Sequence, residues 1–147
     1  MSNPKKVMIL DPSPIFRRTL SKVIQKSVGQ VEINAAENFD QARKILKKEP
    51  PDVVFFDIAL PTDNGIEQIA AIKRLVPRSQ VVVLTSHDSA EYESASLQNG
   101  ADYFFSKERS SGLNLIEVIQ TTVHQGGRAS GVSTVNRHDL HSRETAE

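Results

Sequence analysis

Val53-Val54-Phe55-Phe56-Asp57-Ile58-Ala59-Leu60-Pro61 is the stretch from which the fold of this chain is read. Four apolar residues in succession, two β-branched and two aromatic, describe a strand buried on both faces, the form parallel strands take between layers of helix. Asp57 stands at the C-terminal end of that strand. In open α/β sheets this end faces the ligand crevice, so a carboxylate there is placed for chemistry. The competing reading is an Asp that only starts a turn, since Leu60-Pro61 and Asp63-Asn64-Gly65 follow it.

Outward from this strand the same pattern recurs. Val7-Met8-Ile9-Leu10 ends in Asp11, Val81-Val82-Val83-Leu84 ends in Thr85-Ser86, and Tyr103-Phe104-Phe105 ends in Ser106-Lys107. Val31 to Ala36 instead alternates apolar and polar, which marks a strand nearer a sheet edge. Helical spacing fills the intervals. Ser13 or Pro14 opens a helix with Phe16, Leu20, Val23 and Ile24 inward, and Ile15 falls off that stripe, to be read either as an ordinary exposed apolar residue or, beside an active crevice, as a docking knob for a partner. Asn38 caps a helix carrying Phe39, Ala42, Ile45 and Leu46, stopped by Pro50-Pro51. Ile66, Ile69, Ala70, Ile72 and Leu75 follow the Pro61-to-Gly65 loop, and Pro77 closes that helix. Ser89 to Leu97 is only weakly apolar and ends at Asn99-Gly100, so it is expected to be held less firmly than its neighbours. Leu113, Leu115, Ile116, Ile119 and Val123 form the last helix.

Five strands alternating with five helices predict an α/β fold with one doubly wound parallel sheet and right-handed crossovers. The 147 residues suffice for one domain with a proper core. From Gly126 the composition turns to Gly, Ser, Thr, Arg, His and Glu, so the division expected is a domain over 1–125 and a disordered polar tail over 126–147. The 18 basic and 18 acidic side chains cancel, which leaves no electrostatic footprint for nucleic acid or an anionic membrane. Without cysteine there is neither a disulfide framework nor a thiolate metal site. The apolar run after the N-terminus is too short for a signal peptide or a membrane span, and a cytoplasmic location is expected.

If the first, third, fourth and fifth strands are neighbours, Asp11, Asp57, Thr85 and Lys107 meet in one crevice. Two carboxylates, a hydroxyl and an ammonium suit phosphoryl transfer to a carboxylate: Asp57 attacks phosphorus, a divalent cation held by oxygen ligands offsets charge, and Lys107 and Thr85 bind the phosphoryl oxygens. A glycine-rich phosphate cradle is absent from the sequence, which argues against a nucleotide binder.

Ile9-Leu10-Asp11-Pro12-Ser13-Pro14-Ile15-Phe16-Arg17, Asp52 to Asp57, Leu60-Pro61 with Gly65, Val82 to Ser86 and Gly100 to Lys107, in this order and spacing, resemble the receiver domain of bacterial two-component response regulators. The resemblance runs from Lys6 to about His124. It implies a flavodoxin-like five-stranded sheet of order 2-1-3-4-5. It also implies Asp57 as phospho-acceptor, Asp11, Asp57 and the backbone carbonyl of Ala59 as ligands of Mg²⁺, Lys107 as the phosphoryl-binding cation, and Thr85 with Phe104 as the switch pair. Ala59 and His87 correspond to the positions that tune hydrolysis of the acyl phosphate. A histidine kinase or phosphotransfer protein is the implied donor, and an unidentified downstream protein the implied receiver of the signal.

The sequence departs from the family twice. Pro12 stands where the family has a second, metal-ligating acid, so weak Mg²⁺ binding is expected. Glu108 follows Lys107 where the family often has a cis-proline, which leaves the geometry of that peptide open. Three readings follow. The leading one is a stand-alone receiver without a DNA-binding domain of its own, whose only catalysis is self-phosphorylation at Asp57 and autodephosphorylation. The second is a pseudo-receiver, an interaction module that works without phosphorylation because Pro12 replaces an acid. The third, an aspartate phosphatase, needs a second acid two residues after Asp11, and Ser13 stands there.

Overall fold

The computed structural model describes residues 3–60 and 64–122, and ten elements alternate along them. These are β1 (Lys5–Leu10), α1 (Pro14–Ser27), β2 (Val31–Ala36), α2 (Phe39–Lys48), β3 (Val53–Phe56), α3 (Gly65–Leu75), β4 (Gln80–Thr85), α4 (Ala90–Gln98), β5 (Tyr103–Ser106) and α5 (Gly112–Thr121). The strands form one parallel sheet in the order β2-β1-β3-β4-β5. This is the flavodoxin-like arrangement that the resemblance implies, and the alternating strand, β2, lies at an edge as its pattern predicts. The tail expected over 126–147 and Val123 lie outside the described residues, as do three residues of the Pro61-to-Gly65 loop.

Burial follows the two-residue period of the strands. Val53 and Phe55 of β3 join Ile24, Leu115, Val118 and Ile119 in the core under α1 and α5. Val54 and Phe56 join Ala42, Leu46, Ile69 and Ile72 in the core under α2 and α3. All four β3 side chains are buried, and burying each aromatic ring contributes about 1.5–3 kcal/mol. The central strand therefore ties both helical layers together and delivers Asp57 to the rim.

Every helix starts on a side-chain cap. The side chains of Ser13, Asn38, Asn64, Ser89 and Ser111 accept backbone N–H groups of the first turn, and Pro14 occupies the first turn of α1, where its missing N–H costs nothing. Asn64, a loop residue in the sequence reading, caps α3 in this way. Gly65 opens that helix against the carbonyl of Ile58, where any Cβ would collide. The α3 N-terminus is thus packed directly on the segment that follows Asp57. At the end of α4, Gly100 takes a φ of 112°, the left-handed stop expected from Asn99-Gly100.

Two details depart from the periodic reading. Leu113 belongs to α5 but is 79% exposed, while Val118 is fully buried. The inward stripe is Leu115, Ile116, Val118 and Ile119, and a residue two before Leu115 lies on the far side of a 3.6-residue helix. In α4 a single residue, Ser96, is buried, against at least two in each other helix. That burial accords with the weak apolar stripe of α4 and makes it the helix least anchored to the core. Ile15 is 71% exposed, off the α1 stripe as expected.

Candidate functional site

At the C-terminal edge of the sheet, β1, β3, β4 and β5 end in Asp11, Asp57, Thr85 and Ser106-Lys107. Asp57 keeps the register of the sheet, its N–H donating to the Leu10 carbonyl at 3.0 Å, and the N–H of Lys107 donates to the Thr85 carbonyl at 2.9 Å. The backbone ladder thus continues one residue past the strands and fixes the Cα atoms that carry the polar groups.

The four predicted side chains meet. The Lys107 ammonium bridges the two acids, with Nζ 2.8 Å from Asp11 Oδ2 and 2.9 Å from Asp57 Oδ2. On the other oxygen of Asp57, Oδ1, the Thr85 hydroxyl donates at 2.6 Å and the Ala59 N–H at 2.9 Å. Asp11 Oδ1 accepts the Ser13 N–H at 2.8 Å. Both carboxylates and the Thr85 side chain are buried, so these hydrogen bonds operate with little competition from water.

Burial pushes the Asp11 carboxyl above the ordinary carboxylate range, and the Lys107 ammonium and the Ser13 N–H only partly offset that push. For Lys107 burial acts to lower the pKa, but Asp11 and Asp57 outweigh it and hold the ammonium above the ordinary lysine value. The pocket therefore carries a firmly protonated cation shared between two acids. It presents an oxygen nucleophile beside one positive charge and one hydroxyl donor, the equipment for receiving an anionic electrophile on Asp57.

Several residues reach this site without a role in the sequence reading. The Phe16 ring, counted there as core, lies under the Lys107 ammonium, 4.1 Å from its centroid, a cation–π contact worth about 0.5–2 kcal/mol. Arg17 donates to the backbone carbonyl of Asp11 at 2.7 Å from the first turns of α1. Position was the only available signal for both, since each lies within two turns of Asp11. Ser13, the residue on which a phosphatase reading would depend, spends its hydroxyl on the Phe16 N–H as the cap of α1.

Phe104 is buried among the residues under α2 and α3, so the structure holds its ring inward while the Thr85 hydroxyl rests on Asp57. The His87 N–H donates to Thr85 Oγ1 at 3.1 Å, and the His87 ring stands edge-on to Tyr92 of α4, centroids 5.4 Å apart. Among the described residues no peptide bond is cis, so the Lys107–Glu108 peptide is trans.

The donor set for a divalent cation is small. No three acidic or histidine side chains gather in a metal-holding group among the described residues. Asp11 and Asp57 can still supply carboxylate oxygens, with water completing the shell of a hard ion such as Mg²⁺. The residues fit such an ion, but with one carboxylate fewer than Pro12 would allow if it were acidic.

A family model of the response regulator receiver domain matches residues 7–120. The chain is 39% identical over 107 residues to a protein-glutamate methylesterase/protein-glutamine glutaminase 2 of Vibrio vulnificus, covering 71% of this chain and 31% of that protein. It is 32% identical over 114 residues to a putative transcriptional regulator of Pseudomonas aeruginosa, covering 78% of this chain and 53% of that protein. The chain thus spans about half or less of the length of these relatives. Among solved structures, a Burkholderia pseudomallei response regulator with a phosphorylated aspartic acid, a calcium ion and citrate aligns with a TM-score of 0.74 at 22% identity, over 97% of this chain and 74% of that one. The signal receiver domain of the putative response regulator NarL from Mycobacterium tuberculosis aligns with a TM-score of 0.72 at 24% identity, over 81% of this chain and 95% of that one. At these identities the two structures speak for the fold. Among the described residues no helix is long and apolar enough to cross a membrane.

Proposed function

The chain belongs to the response regulator receiver domain family, and on that premise we propose that it is a phosphoryl-accepting signalling switch whose acceptor is Asp57. Receiver domains interact with histidine kinases or phosphotransfer proteins, typically bind Mg²⁺, and are generally signalling modules rather than enzymes. The observation that supports the reading is the convergence of Lys107 at 2.9 Å and Thr85 at 2.6 Å on the two oxygens of one buried carboxylate.

In the proposed step a carboxylate oxygen of Asp57 attacks the phosphorus of a phosphohistidine on the donor. The new O–P bond forms as the P–N bond breaks, and the imidazole leaves with the electron pair. Lys107 stays paired with the anionic oxygens, and the Thr85 hydroxyl donates to one of them. Asp11, Asp57 and the Ala59 carbonyl would hold Mg²⁺, which when bound offsets charge on the phosphoryl oxygens. In this reading the arrangement with Thr85 and Phe104 inward, which the structure already shows, is one of two in exchange; the acyl phosphate raises its population, and the surface of α4, β5 and α5 presents that state to a downstream protein. The weak anchoring of α4 suits it to respond. We place this exchange in the cytoplasm, with binding rather than DNA contact as the output of the domain itself.

Incubation with acetyl phosphate and Mg²⁺, followed by mass spectrometry, tests the reading. One phosphoryl group is expected on the peptide that contains Asp57, and it should be lost in Asp57→Asn. Labelling that persists at full level in that variant refutes the acceptor. A pseudo-receiver is the second reading, and Pro12 supports it. Absence of labelling under saturating Mg²⁺ and donor would favour that module.

A further inference from the structure

Lys107 sits at the turn from β5 toward α5, where the next residue is Glu108, so no proline ring fixes the backbone after it. Ser106 takes up that work. Its hydroxyl, 2% exposed as a residue, accepts the N–H groups of Glu108 and Arg109, both at 3.2 Å, and donates to Asp88 Oδ2 at 2.7 Å. One proton and two lone pairs are thereby all used. The carbonyl of Ser106 also accepts the Ser110 N–H at 2.9 Å, which completes a tight turn around the lysine.

Asp88 comes from a different part of the chain. It lies in the loop between β4 and α4, just before the α4 cap Ser89 and three residues after Thr85. Ser106 and Thr85 are partners in the strand register, so the Asp88 bond joins the two loops immediately above that rung. A second, exposed tie runs parallel to it, the Ser86 hydroxyl donating to Glu108 Oε2 at 2.8 Å. The Ser106 hydroxyl, assisted by Arg109 at 3.7 Å, holds the Asp88 carboxyl below the ordinary range, so Asp88 remains an ionised acceptor at neutral pH.

We propose that Ser106, anchored by Asp88, is the positioning residue for Lys107, setting where its ammonium meets Asp11 and Asp57; the proposal rests on the reading of Asp57 as the acceptor. Lysine is a flexible four-carbon stem ending in a point charge, and it carries little geometric preference of its own. Bridging two carboxylates at 2.8 and 2.9 Å requires its Cα to be fixed from outside. The Thr85 carbonyl fixes the residue's N–H, and the Ser106 hydroxyl fixes the two peptides that follow. The same link connects the loop leading to α4 with the loop that carries the cation, so displacing one displaces the other.

Ser106→Ala, Asp88→Ala and Asp88→Asn test this in the intact chain. Labelling of Asp57 by acetyl phosphate, thermal unfolding and the NMR signal of the Lys107 ε-carbon are read for each. Ser106→Ala and Asp88→Ala should slow labelling about three- to ten-fold, the equivalent of one positioning hydrogen bond, and move the Lys107 signal toward those of exposed lysines. Asp88→Asn keeps an acceptor oxygen and should stay within about two-fold of the native rate. Unchanged rates and an unmoved Lys107 signal in both alanine variants overturn the proposal, as does a loss of stability with that signal unmoved. If the native chain takes no label, or Asp57→Asn takes as much, it is the acceptor reading that fails, and the Lys107 signal in the same variants still decides the positioning.

Discussion

Removing Lys107 should make this domain's stability depend on pH in the opposite sense from most carboxylate-rich sites. In the native pocket one ammonium faces two acids at 2.8 and 2.9 Å, with 14% of the lysine side chain and no more than 6% of either acid exposed. At an effective dielectric constant of about 20, each pair represents about 6 kcal/mol of gross attraction. Most of that is offset by the cost of drying three charges. Breaking a buried pair from one side leaves a net loss of about 3–5 kcal/mol, and the residual exposure of Lys107 brings the expectation for Lys107→Ala to about 2–4 kcal/mol at neutral pH. For a domain of this size that is a fall of roughly 8–16 °C in the unfolding midpoint.

The variant leaves Asp11 and Asp57 facing one another without a cation. One of them should then hold its proton well above the ordinary carboxylate range. A carboxyl whose folded pKa is raised stabilises the fold when protonated and loses that contribution as pH rises through the raised value. Lys107→Ala should therefore recover stability on acidification from pH 7.5 toward about 5, and Asp11→Asn in the same background should recover it at neutral pH as well. In the native chain the Lys107 pKa is raised, so the stabilisation from its ion pairs is complete below the ordinary lysine value and is lost as pH rises through the folded one. Urea denaturation of the three proteins at several pH values measures all of this. Equal stability of native and Lys107→Ala at neutral pH, with parallel pH profiles, would refute the electrostatic account of the pocket.

Pro12→Asp should tighten Mg²⁺ binding by roughly ten-fold or more, since a carboxylate at the partly exposed position 12, near a divalent ion, contributes about 1–3 kcal/mol. Calorimetric titration of both proteins decides it, and equal affinities would mean that another donor already completes the shell. Gly65→Ala should destabilise by about 1–3 kcal/mol, because its methyl group meets the Ile58 carbonyl, a backbone atom without a rotamer to yield; a midpoint unchanged from native would show that the α3 N-terminus shifts freely. Thr85→Val should cost about 1–2 kcal/mol, since it leaves the His87 N–H and one lone pair of Asp57 without their hydroxyl partner. Its measured cost by urea denaturation should vanish if water replaces the hydroxyl.

The architecture was legible in the chain because period and punctuation are local properties. Four uninterrupted apolar residues in β3, the alternation in β2, the caps at Ser13 and Asn38 and the stop at Asn99-Gly100 each follow from the backbone and from the side faced, whatever the partner. The same logic put acids, a hydroxyl and an ammonium at the strand ends, since parallel strands all point one way. It went no further than proximity. That Lys107 bridges both acids, that Phe16 lies beneath it and that Phe104 is turned inward are matters of rotamer and of contact between residues far apart in the chain, 50 positions for Lys107 and Asp57 and more for Asp11 and Phe16. The Ser106–Asp88 bond spans 18 residues, and nothing in either segment selects the other. A serine hydroxyl at the end of a strand takes whichever donor and acceptors the neighbouring loop presents. Leu113, by contrast, was legible: two residues before Leu115, it lies on the far side of a 3.6-residue helix, so the period by itself separates it from the stripe of Leu115, Ile116 and Ile119.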